Sequence, residues 1–173
     1  DEVRDVAFTR MGEFPKEQIV PKLYTLFEPK KWKTRWVAGE TVLKTTTSTN
    51  QVRDFLTRLP KTPLPKMGMT EPLSYGAKIK QMDPPAGEPK PRELLVPYLN
   101  SKDLGARLTA FGFFWEGKKA DRPIVEGFSN DPQLLPKCEK EDACSWSCDV
   151  PKASNPQESE PKELQTVGEF GKF

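Results

Sequence analysis

Lys31-Trp32-Lys33-Thr34-Arg35-Trp36-Val37-Ala38-Gly39-Glu40-Thr41-Val42-Leu43-Lys44-Thr45-Thr46-Thr47 is the stretch on which the fold turns. Trp32, Thr34 and Trp36 alternate with Lys31, Lys33 and Arg35, so an extended chain puts the first three on one side and the cations on the other. Ala38-Gly39-Glu40 supplies a turn, and the β-branched residues of 41–47 supply a second strand. The pattern therefore predicts a hairpin with its indoles buried. Its cationic face, Lys31, Lys33 and Arg35, is the expected contact with an acidic partner or an anionic membrane surface.

Downstream of the hairpin, residues 50–59 predict a helix, because Val52, Phe55, Leu56 and Leu59 recur at i, i+3, i+4 and i+7 and form one apolar stripe. Ser48 and Gln51 have capping-box spacing, and Pro60 stops the helix. Upstream, Pro15, Pro21 and Pro29 leave room for one short helix within 16–27. From Pro60 to Pro97 the prolines are dense, with Pro84-Pro85 and Pro89-Lys90-Pro91 among them. Each proline fixes φ and removes a backbone donor, so this stretch is expected to be extended, with Met67, Met69, Leu73, Tyr75 and Ile79 as apolar pegs. Asn100 or Ser101 caps a second helix through Leu104, Leu108, Phe111 and Trp115, weakened by Gly105 and Gly112 and stopped at Gly117. A buried strand over 111–115 is the alternative.

The fold expected from these signals has low regular structure. Mixed α+β islands, one short hairpin and two or three short helices, are joined by extended Pro-rich segments. They divide as an N-terminal segment with hairpin and amphipathic helix (1–60), a Pro-rich connector (61–99), a short helical or apolar island (100–130), and a Cys-containing segment with an extended polar tail (131–173). Eighteen prolines and a hydrophobic share of 35% fit a chain that buries little on its own, while ten Phe, four Trp and three Tyr supply anchors for burial elsewhere. Trp32, Trp36, Phe113, Phe114, Trp115, Trp146, Phe170 and Phe173 are the expected partner-binding anchors. Phe55 joins them as a buried anchor, some of the set being internal. A neighbouring subunit is expected to hold the polar tail through Phe170 and Phe173.

The sequence contains no histidine, which removes Ser-His-Asp and Cys-His catalysis and the His-Glu-x-x-His zinc site. No phosphate-cradling glycine loop appears, and the carboxylates are scattered among lysines and prolines. No enzyme activity, cofactor or metal site is expected. Twenty-seven basic residues against twenty-five acidic ones leave a net charge of +2, too little excess for a dominant nucleic-acid role. The longest uncharged apolar run, 108–115, is far below the ~20 residues that span a bilayer, so no transmembrane span is expected.

Cys138, Cys144 and Cys148 are spaced x5 and x3, which misses zinc and iron–sulfur spacings. One disulfide is expected, from Cys138 to Cys144 or Cys148, with free buried thiols as the alternative. Cys144-x3-Cys148 resembles half of the paired motif of intermembrane-space disulfide proteins, with the second half missing. Gly105-Ala106-Arg107-Leu108-Thr109-Ala110-Phe111-Gly112-Phe113 resembles, over fewer than a dozen residues, the Gly-Arg-Leu-Ala-Met…Gly-Phe stretch of chlorophyll-binding helices. The acidic and Asn ligands of that family are not at their spacing, so no pigment site is carried over.

These features predict a non-catalytic accessory or scaffold subunit that stabilises a large multi-subunit complex through Pro-rich arms and aromatic anchors. The complex is expected to be organellar and membrane-associated, with other protein subunits as partners. A mitochondrial or plastid interior is expected, because the chain opens Asp1-Glu2-Val3 without Met, as a chain freed of its targeting segment does. The alternative is a self-contained small binding protein with one disulfide.

Overall fold

Three threonine hydroxyls in the stretch quoted first bond back to carbonyls three or four residues earlier. In the computed structural model Thr41 Oγ1 donates to the Val37 carbonyl (2.8 Å), and the Thr45 and Thr46 hydroxyls both donate to the Val42 carbonyl (2.8 and 2.9 Å). Such bonds satisfy the threonine hydroxyls inside a helix that β-branching by itself slightly disfavours. Residues Trp32–Thr45 are one α-helix, α3. The stripe this helix buries, Arg35, Ala38, Gly39 and Val42, recurs at i, i+3, i+4 and i+7. That stripe contains a cation, which hydropathy reads as surface, and so it is invisible to an apolar pattern search.

The structure describes residues 2–11, 13–27, 32–59, 70–115, 117–133, 147–152 and 155–170. They are mostly helical, which overturns the expected mixed α+β islands and the hairpin at 31–47. The other helices are α1 (Glu2–Met11), α2 (Lys16–Tyr24), α4 (Thr49–Arg58) and α5 (Thr70–Lys80), which pack on α3, followed by α6 (Pro91–Leu95), α7 (Leu104–Trp115) and α8 (Arg122–Gly127). Near the C-terminus an antiparallel ribbon, β1 (Ser147–Lys152) with β2 (Asn155–Glu163), precedes the single turn α9 (Val167–Phe170).

The expected helix at 50–59 is α4. Ser48 Oγ accepts from the Asn50 amide (3.1 Å), and the Gln51 carboxamide accepts from the Thr47 amide (2.9 Å), one residue earlier than a capping box requires. Val52, Phe55, Leu56 and Leu59 are all buried. By contrast, the stretch expected to be extended contains α5, whose Glu71, Tyr75 and Ile79 are completely buried. α5 crosses α7 at very short range because both helices present glycine. A Cβ on Gly76 would collide with the Phe113 backbone, and one on Gly112 would sit 2.7 Å from the Leu73 Cα. α7 is buried along nearly its whole length, and Gly112, expected only to weaken the helix, is what lets α5 approach it.

One core cluster joins α2 to α7 through Leu23, Val42, Phe55, Tyr75, Leu95 and Phe114. A second, smaller one joins Leu104, Leu108, Phe111 and Phe128 to Leu164 and Val167 near the C-terminus. The polar tail is thus held by the chain's own body at these two residues.

Candidate functional site

Between α2, the C-terminal turn of α3 and the N-terminal turn of α4 lies a groove of about 440 Å³. Val20, Pro21, Tyr24 and Val42 form its apolar part, and Glu17, Thr45, Asn50, Gln51 and Asp54 ring it with polar groups. Pro21 sits inside α2 and has no amide hydrogen to offer the Glu17 carbonyl one turn earlier. That carbonyl therefore keeps its acceptor capacity beside the groove.

Tyr24 is fixed at one end. The Arg58 guanidinium lies 4.4 Å from the centre of its ring, and Arg58 Nε donates to Asp54 Oδ2 (2.9 Å). Burial pushes the Tyr24 hydroxyl up to about 12, and the Asp54 charge adds to that shift. The phenol therefore stays protonated as a hydrogen-bond donor. The bond to Asp54 raises the Arg58 pKa further, so this cation is permanent.

From Tyr24 an aromatic chain leads inward. Tyr24 meets Phe27 edge-on at 5.2 Å, Phe27 meets Phe55 at 5.8 Å, and Phe55 meets Tyr75 at 5.1 Å. At its inner end Glu71 and Arg35, both completely buried, form a two-pronged ion pair, Arg35 Nε to Glu71 Oε1 (2.6 Å) and Nη2 to Oε2 (2.8 Å). The Tyr75 hydroxyl lies 3.0 Å from the Arg35 carbonyl and 3.2 Å from Glu71 Oε1, both acceptors for its proton. Burial raises the Glu71 carboxyl above its ordinary value, with Arg35 and Tyr75 pulling the other way. Burial and the Glu71 charge raise the Tyr75 hydroxyl well above its own. Gly39 leaves room for this phenol, since a Cβ there would collide with it. At the edge of the same α3–α5 contact, Trp36 Nε1 donates to Ser74 Oγ (3.2 Å) and Ser74 donates to Glu40. The groove is thus braced by a stiff interior.

Of the residues singled out from sequence, Arg35 lies inside this pair and not on an exposed cationic face, because Glu71 compensates its charge. Lys33 is exposed, and Lys31 lies outside the described residues. Phe55 and Phe114 are completely buried and Phe113 nearly so, which makes them internal anchors. Trp36 is partly buried, and Trp115 packs at the edge of the smaller core. Trp32 begins α3 and Phe170 ends α9, without their side chains being described. Cys148 pairs with Lys162 in the ribbon, while Trp146, Phe173, Cys138 and Cys144 lie outside the described residues. The described residues contain no cluster of metal-ligating side chains and no helix long and apolar enough to cross a membrane.

Sequence reasoning missed the groove and the Arg35–Glu71–Tyr75 network. Part of the groove was visible, since Val20, Leu23, Tyr24 and Phe27 have helical spacing. The Arg–Glu pairing, 36 residues apart, left no local sign. Comparison with protein-family models, curated proteins and solved structures finds no match to this chain.

Proposed function

We propose that this protein is a non-catalytic accessory subunit of a larger protein assembly, and that it holds a neighbouring chain in the groove between α2, α3 and α4. The groove itself carries the reading. An apolar floor of Val20, Tyr24 and Val42 inside a polar rim is the anatomy of an interface centre, where a few desolvated anchors supply most of the affinity. The aromatic chain behind Tyr24 keeps that floor rigid, which lowers the ordering cost of binding. The organellar, membrane-associated setting expected from the sequence belongs to the same proposal, and subcellular fractionation tests it.

The direct test is affinity purification of the tagged chain from its native source. A Thr45→Trp variant fills the groove from its edge. Wild type is expected to bring down a fixed set of subunits, and the variant to lose them while melting at the same temperature. Recovery of the wild-type chain alone would overturn the proposal.

A second reading, a self-contained small binding protein with one disulfide, draws support from the continuous core between α2 and α7. One free thiol on the purified chain, together with no stable co-purifying subunit, would favour it.

A further inference from the structure

We draw no further inference here: the strongest candidate, the pocket of about 280 Å³ between α7 and α8 lined by Leu99, Arg107, Ile124 and Phe128, carries nothing because Asp131 and Gln133 already engage Arg107, its unpartnered Nε is closed off from solvent, and nothing in the structure shows what fills the space.

Discussion

Arg35 and Glu71 are the residues whose removal tells most about this protein. Their attraction acts where water does not reach, but each charge also lost its hydration on burial, so the pair's net contribution is small compared with the cost of breaking it. Changing Arg35→Met alone strands a buried carboxylate, and changing Glu71→Leu alone strands a guanidinium. Each is expected to cost about 3–5 kcal/mol in urea unfolding. The double variant is expected to recover most of that loss, because Tyr75 keeps the Arg35 carbonyl as acceptor and the new side chains fill a similar volume. A single variant losing less than about 1 kcal/mol would show that the pair is hydrated and not buried as the geometry has it.

At the scale of elements, glycines with the same sequence appearance are expected to behave with opposite signs. Gly76→Ala must push α5 away from the α7 backbone, and backbone does not yield as a flexible side chain does. A loss of about 1–3 kcal/mol or more is expected. Gly127, in the last turn of α8, has ordinary helical dihedrals and open space around its Cβ position. Gly127→Ala is therefore expected to stabilise by about 0.4–1 kcal/mol, by narrowing the unfolded ensemble. Opposite shifts of the urea midpoint at the two sites, the larger at Gly76, check both; destabilisation at Gly127 would count against the α8 geometry. The same elements show what the sequence made legible. α4 was readable because its buried stripe is Val52, Phe55, Leu56 and Leu59, and one helix contains the whole signal. α3 was not, because its stripe runs through Arg35 and Gly39, which become interior only once Glu71 and Tyr75 arrive from α5. α5 itself was hidden by the prolines on either side. The groove was legible only as far as the spacing of α2, since its other walls meet Tyr24 through tertiary packing.

For the molecule as a whole, acid stability is set by carboxylates that pull in opposite directions. Glu88 reaches from the Pro-rich loop after α5 to the start of α4, where its carboxylate accepts from the Thr49 hydroxyl (2.8 Å) and amide (2.7 Å). Those bonds lower its pKa from the ordinary value of 4.5, the hydroxyl contributing most. The unfolded chain thus takes up this proton before the native one does. Stability from Glu88 is complete above pH 4.5 and is lost as pH falls through its lower folded value. Glu71 has the opposite sign. Its raised folded pKa means that the native state takes up the proton first, so its contribution grows on acidification and is complete below 4.5. The observed profile is their sum with the surface charges, and a single variant separates them. Glu88→Gln is expected to lower the melting temperature at neutral pH, with the gap to wild type holding down to about pH 4.5 and closing below it. Thermal melts of both chains from neutral pH down to about 2 check this, since linkage requires the curves to converge where Glu88 is protonated in both states. A gap that stays constant through the acid range would mean that the carboxylate's charge does not hold the loop to α4, and that Glu88 acts there by shape alone.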